Sequence, residues 1–446
     1  MISGSVSGGA LSFGLAVRLQ MLVAVLCLAV QAQPADDRHV ILVSIDGFAS
    51  YALEDPKLAI PNLRSLIRSG AVARRLEVVN PSVTWPNHTS MVTGVTPSRH
   101  GVLYNGLPVR GEGPSIRIEP WRDKSELVRV PTIYDLAQKA GMTTAEVDWV
   151  AIFRARTITW PFSEVPDPSG AVERELVAAS ILSQEDIATF SKHPITWRDE
   201  IWTKAAAHIF ERHKPNLLMF HLLATDSVQH TYAPKNLATA AALALADARL
   251  GELLAAVARS GVRDRTTLIV VSDHGFKTVR KQIRPNSVLR QKGLSDRAIV
   301  MSEGGSAIVY IQGDAAPVRA ALQGIEGVDR IIDPAEYARW GFPTPQHDDR
   351  MGELVLAARD GYSFFGASDG EAVVTLPNPT GAHGYLSDDP EIYGIFVASG
   401  AGIRAGARID TARTIDIAPT IARLLGLKMG NIEGRALDAI FTAPAP

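Results

Sequence analysis

Three aspartates and three histidines in this chain sit in short polar segments, most of them directly after apolar runs. They are Asp46 in SID, Asp226 and His230 in TDSVQH, Asp273 and His274 in SDHG, and His383 in GAHG. Carboxylates and imidazoles without a thiolate suit zinc, or less tightly manganese or iron. A hydroxyl among two such ions is a ready nucleophile for a phosphoryl centre, and Thr84 in TWPNH is the candidate. Together these residues point to a metal-dependent phosphoesterase.

Singly, each signal has an ordinary structural explanation. Aspartate caps helices and closes turns. Asp273 and His274 are adjacent, so a tight loop can turn both toward one ion, and Gly275 permits the bend. Asp226 and His230 are four apart and share a face on a helical turn. His383 alone reads as a surface histidine, Thr84 as a helix N-cap, and Asn105 in YNG as part of an Asn-Gly turn. The case rests on all of them meeting in one layer.

The elements that must position them follow from the apolar pattern. HVILVSID (39–46), NLLMFHLLATD (216–226) and TTLIVVSDHG (266–275) read as strands buried on both faces. Ligands bind at the carboxyl edge of such strands in open α/β sheets, which is where Asp46, Asp226 and Asp273 fall. Helices are predicted from Pro61 to Gly70, from Pro131 to Gly141, over 200–213, from Asn236 to Ser260 and in IDIAPTIARLLGL. Pro86 disfavours a helical Trp85, so the helix after Thr84 is predicted over Ser90–Val95, with its positive N-terminal end toward an anionic phosphate. Residues 154–200 are expected to form part of a substrate cleft. Strands alternating with helices give a three-layer α/β sandwich with a mostly parallel central sheet, and residues 277–377 read as a small α+β insertion.

The chain has 446 residues, 46% of them hydrophobic, and a formal net charge of −2. That suffices for one large domain and argues against a groove for nucleic acid or global disorder. Arg18 precedes the apolar run Met21–Val30, and Val30 and Ala32 match the small residues of a cleavage site before Gln33. Residues 1–32 therefore read as a signal peptide and 33–446 as the catalytic domain, secreted or periplasmic. An uncleaved anchor is the alternative, although the run is shorter than the roughly 20 residues of a membrane span. Cys27, the only cysteine, lies within that run, so the mature chain is expected to hold no disulfide.

The segments SIDGF, PNLRSL, PSVTWPNHTSMVTGVTPSRHG, DSVQH, VSDHGF and GAHGYLSDDPEIYGIFVASG occur in this order. In them the chain resembles the nucleotide pyrophosphatase/phosphodiesterase branch of the alkaline phosphatase superfamily, over essentially the whole mature length. The resemblance implies an alkaline-phosphatase-like fold and two zinc ions. It implies Thr84 as a nucleophile forming a phosphothreonyl intermediate. It implies one ion on Asp46, Thr84, Asp273 and His274, and the other on Asp226, His230 and His383 with Asp46 close by. Asn105 matches a phosphate-binding Asn. Trp85 stands where the family often has Phe and offers a face on which a base can stack. Trp149 lies where a second aromatic often completes the base pocket. His88 and His100 read as structural, and the sequon at Asn87 is dismissed for its position beside Thr84.

The reading that follows is a hydrolase of nucleotide diester or pyrophosphate bonds that releases nucleoside 5′-monophosphate from a small-molecule substrate. A phosphonate hydrolase, a lipid-headgroup phosphodiesterase and a monoesterase of the same superfamily stay open; a monoesterase calls for an extra cation, for which Arg99 is a remote candidate. A binding module on the same fold that has lost catalysis is disfavoured by the complete set of ligands.

Overall fold

A computed structural model describes residues 37–442, so the segment read as a signal peptide and Cys27 lie outside the described residues. Eight strands form the central sheet. In chain order they are β1 (His39–Ile45), β2 (Ala71–Glu77), β3 (Thr144–Val147), β4 (Trp160–Phe162), β5 (Leu217–Leu222), β6 (Thr266–Val271), β7 (Gly394–Gly400) and β8 (Ala407–Arg413). Their order across the sheet is β8-β2-β7-β6-β1-β5-β3-β4. All neighbours run parallel except β7, which is antiparallel to both β2 and β6.

The helices used below are α1 (Pro61–Ser69), α2 (Thr84–Thr93), α3 (Ile133–Lys139), α4 (Ile195–His213), α5 (Ala224–Tyr232), α6 (Leu237–Arg259) and α7 (Ile417–Leu425). Every residue of β1, β5 and β6 is buried, because both faces of the sheet are covered. Ile41, Val43, Leu218, Phe220 and Val270 pack on one face, against α1, α4 and α6. Val40, Leu42, Leu217, Met219 and Ile269 pack on the other, against α2, α3 and α7. The period of two along each strand thus builds two separate cores.

Residues 154–200 contribute mainly to the first core. Phe162, Val172, Leu176, Ile187 and Phe190 are buried there and support the sheet edge, while Arg154, Ala155, Ile158, Pro161, Ser163 and Val165 line a cavity. A second departure concerns α2, which begins at Thr84 and contains Trp85 and Pro86. Proline fits there because the N–H groups of a first turn have no intrahelical acceptor to lose.

Beyond His274 the chain leaves the sheet. Lys277–Ile283, Gly361–Phe364 and Val373–Ala382 make a three-stranded sheet, and four antiparallel strands between Ala298 and Ala358 make another. Ala382 pairs with Lys277, which returns His383 to the neighbourhood of His274.

Candidate active site

Asp46 directly follows β1, and its N–H donates to the Leu222 carbonyl at 2.9 Å. Gly47 then turns the chain with φ of +69°, and a Cβ there would lie 2.6 Å from the Phe276 ring. The Gly47 N–H donates to Asp273 Oδ1 at 3.1 Å, which ties the ends of β1 and β6 together. Asp226 lies in the first turn of α5. That turn is fixed by Asp199, whose carboxylate accepts the N–H groups of Leu223 at 3.0 Å and Ala224 at 3.1 Å. His230 follows one turn later.

The six Asp and His residues fall into two overlapping groups. Asp46, Asp273 and His274 present ligand atoms within 4.8 Å of one another, and so do Asp226, His274 and His383. His230 Nε2 lies 3.3 Å from Asp226 Oδ1 and joins the second group through that oxygen. In His230, His274 and His383, Nδ1 faces a backbone carbonyl, of Gly381 at 3.1 Å, Gly275 at 3.3 Å and Ser82 at 3.1 Å. That fixes the proton on Nδ1 and leaves the Nε2 lone pair free as a metal ligand. Each Nε2 points at carboxylate: His274 at Asp46 Oδ1 (3.4 Å) and Asp273 Oδ2 (3.2 Å), and His383 at Asp226 Oδ1 (3.7 Å). Asp46 Oδ1, Asp226 Oδ1, Asp273 Oδ2 and His274 Nε2 are all buried without a hydrogen-bond partner. Native proteins leave few such groups, and these four converge. The donor set fits divalent cations.

The electrostatics agree. Burial, then the charges of Asp273 and Asp226, push the Asp46 carboxyl well up. Burial acts in the same direction on Asp226, but His230, His383 and His274 outweigh it and hold that carboxyl down at about 2. Burial lowers His274 to about 3 and His383 well below its usual value, so both are neutral at physiological pH. Three carboxylates gathered in a buried site call for compensating cations.

Thr84 is the first residue of α2 and Val83 holds the N-cap, so Thr84 is not the capping residue its spacing suggested. His88, one turn on, points Nδ1 at the Thr84 carbonyl (2.9 Å), and that nitrogen lies 3.8 Å from Asp273 Oδ2. Ser82, two residues before Thr84, supplies the carbonyl that faces His383. Thr84 is thus anchored from both sides to the candidate ligands. Asn105 accepts the Trp85 N–H through Oδ1 at 2.9 Å, leaving its amide donors free beside the start of α2. The Trp85 side chain is only 9% exposed and packs with Val102, Leu127, Val128 and Ala151, so little of its face remains for a ligand.

His100 is structural: it binds Ser90 Oγ (3.0 Å) and the Val102 N–H (3.1 Å). Asn87 is fully buried and holds the Val79 N–H and the Val83 carbonyl. Arg99 donates to the Asn431 carbonyl at 2.7 Å. Trp149 is buried, edge-on to His88 with 4.7 Å between ring centres. Two residues not singled out from the sequence complete the site. His221 Nε2 contacts Asp46 Oδ2 at 3.0 Å, and its Nδ1 lies 3.2 Å from the Asp148 carbonyl and 3.1 Å from Asp148 Oδ2. A single histidine inside the otherwise apolar strand LLMFHL was the available signal.

A threonine opening a helix, tied through His88 and Ser82 to clustered carboxylates and imidazoles at the carboxyl edge of a largely parallel sheet, matches the build of a phosphoryl-transfer hydrolase. The family model described as type I phosphodiesterase / nucleotide pyrophosphatase matches residues 40–386. The chain belongs to that family and is a hydrolase of phosphoric ester or anhydride bonds. It is 26% identical over 421 residues to human ectonucleotide pyrophosphatase/phosphodiesterase family member 7, covering 89% of this chain and 82% of the relative. It is 24% identical over 417 residues to the mouse bis(5′-adenosyl)-triphosphatase enpp4, covering 87% and 78%. Among solved structures, human ectonucleotide pyrophosphatase/phosphodiesterase 5 superposes with a TM-score of 0.72 at 19% identity, covering 91% of this chain and all of that one. An inactive form of the murine protein in complex with AMP gives 0.70 at 19% identity, covering 89% and 97%. The fold is therefore the alkaline-phosphatase-like α/β sandwich expected.

Proposed function

We propose that this chain is a zinc-dependent phosphodiesterase and nucleotide pyrophosphatase that works through a phosphothreonyl intermediate and releases nucleoside 5′-monophosphate. The observation that carries the reading is the convergence of four unpartnered buried atoms, on Asp46, Asp226, Asp273 and His274, close to His88, which also contacts the Thr84 carbonyl. Asp46, Thr84, Asp273 and His274 would hold one ion, and Asp226, His230 and His383 the other. Bound there, the ions would supply Lewis acidity, lowering the pKa of the Thr84 hydroxyl and neutralising charge on the phosphoryl oxygens.

Thr84 Oγ1 attacks phosphorus in line. The new O–P bond forms as the bond to the leaving oxygen breaks, and water then cleaves the phosphothreonine to regenerate the hydroxyl. The Asn105 amide donates to a non-bridging oxygen, since its own carbonyl is held by Trp85 N–H. The N-terminal end of α2, which Thr84 opens, adds the positive end of the helix dipole. The exposed strip of Trp85 is the part left to meet a base. Murine and bovine relatives named bis(5′-adenosyl)-triphosphatase support a nucleotide substrate.

The segment ahead of Gln33 is read as an export signal, and 277–377 as an insertion within one catalytic domain of residues 33–446. The "ecto" in the names of relatives supports export, and among the described residues no helix is long and apolar enough to cross a membrane. The test is zinc analysis of purified protein with a panel of a nucleotide diester, a monoester, a choline phosphodiester and a phosphonate. Two zinc equivalents and fastest turnover of the nucleotide diester are expected. A monoester or phosphonate turned over faster than any diester overturns the substrate assignment.

A further inference from the structure

We propose that His221, aimed by Asp148, is a positioning residue that restricts Asp46 to offering a single oxygen, Oδ1, to the cation it shares with Asp273 and His274. The inference rests on the metal reading above and goes beyond it, since neither residue is one of the proposed ligands.

The arrangement is set by strand register. Ser44 of β1 pairs with His221 of β5, and Val147 of β3 pairs with Phe220 of the same strand. The residues just past β1 and β3, Asp46 and Asp148, therefore flank one histidine across three adjacent strands. All three side chains are at most 1% exposed. Asp148 takes φ of +56°, an uncommon backbone for a residue with a Cβ. That turn puts both its carbonyl and its carboxylate within 3.2 Å of His221 Nδ1. Strained backbone of this kind persists only where the surroundings impose it. The His88 ring, packed edge-on with 4.7 Å between centres, prevents the imidazole from tilting away.

For Asp46 the consequence is a division of labour between two oxygens. Oδ2 is held by His221 Nε2 at 3.0 Å, whereas Oδ1 has no hydrogen-bond partner and lies 3.4 Å from His274 Nε2. His221 has acceptor oxygens against both ring nitrogens and so donates from both, unlike the three candidate ligand histidines. Without that donor, Oδ2 would be a buried anionic oxygen with nothing to hold it, and the carboxylate could rotate about χ2. Hydrogen bonds behind a ligand fix its orientation and raise affinity for the ion, and their loss costs about 10–100-fold.

Competition between the protein and a chromogenic zinc chelator tests this, with near-ultraviolet circular dichroism as the check on folding. In a His230→Ala background, where the Asp46 group is left as the principal site, His221→Leu should weaken zinc by about 10–100-fold. His221→Gln, whose amide reaches the place of Nε2, should recover most of the loss. In otherwise wild-type protein, His221→Leu should weaken one ion and leave the other within about threefold. Equal zinc affinity in His221→Leu and its parent overturns the proposal. If that variant does not fold, Asp148→Asn decides. Asparagine tolerates the left-handed backbone, so a native spectrum with about tenfold weaker zinc sustains the proposal, and unchanged zinc overturns it. Wild-type protein that takes up no zinc at all defeats the metal reading and this inference with it. Two ions in wild type together with unchanged variants defeat this inference alone.

Discussion

At the scale of single residues, the site separates chemistry from binding. Thr84→Ala should nearly abolish turnover while zinc content stays close to wild type, because the hydroxyl is one ligand among several and the only proposed nucleophile. Activity above about a tenth of wild type, roughly 1.4 kcal/mol of barrier, rules the role out. Asp226→Ala, His230→Ala and His383→Ala should each empty one site and leave the other partly filled, as measured by metal analysis. Two full equivalents in all three variants refute that ligand set. Trp85 calls for two substitutions. It is mostly core, so Trp85→Ala should destabilise by about 3–5 kcal/mol and depress turnover of every substrate. Trp85→Phe keeps the packing class; if the exposed strip meets a base, KM should rise for a nucleotide diester and not for bis-nitrophenyl phosphate. Equal KM changes on both assign Trp85 to the core alone.

At the scale of elements, what could be read from the sequence was whatever local pattern dictates. The continuous apolar run of β1 and the Ala/Leu-rich α6, opened by Asn236 whose side chain accepts the Thr239 N–H at 3.0 Å, both lie where the pattern put them. α2 starts at Thr84, ahead of the segment where the pattern places it, because a first turn tolerates proline while the local rule disfavours helix before one. The meeting of His221 with Asp148 is not legible in the sequence because it depends on the pairing of β1, β5 and β3, which no local period encodes. His100 shows how one element is pinned to another, since it joins Ser90 of α2 to the turn at Val102. Burial lowers His100 to about 3, against about 6.5 for an unfolded histidine. The unfolded chain therefore binds the extra proton first, and stability should fall as pH drops from about 6.5 toward 3. His100→Asn, which keeps an acceptor for the Val102 N–H, should flatten that slope in denaturant titrations across the window. An unchanged slope would assign the acid sensitivity to other groups.

At the scale of the whole molecule, the candidate ligands come from distant parts of the chain and are gathered at one sheet edge. Their identities were legible because the motifs are short and local, whereas the sharing of His274 between both groups required the three-dimensional arrangement. Three buried carboxylates make the metal part of the stability. Chelation should lower Tm, and zinc at about 1,000 times its Kd should restore about 4 kcal/mol; a Tm indifferent to chelator contradicts a resident cation. The one antiparallel strand, β7, carries a consequence for how the molecule is made. It lies between β2 and β6, yet it is synthesised after both and after the entire 277–377 segment. Until residue 400 has emerged, the nascent chain holds the five strands β6-β1-β5-β3-β4 with a bare edge at β6, and β2 alone without either neighbour, since β8 also follows β7; both can pair with another copy. A ribosome stalled or a chain truncated before Gly394 would therefore yield a species prone to edge-to-edge aggregation, and a chaperone that shields strand edges would be needed most between the emergence of β6 and that of β7.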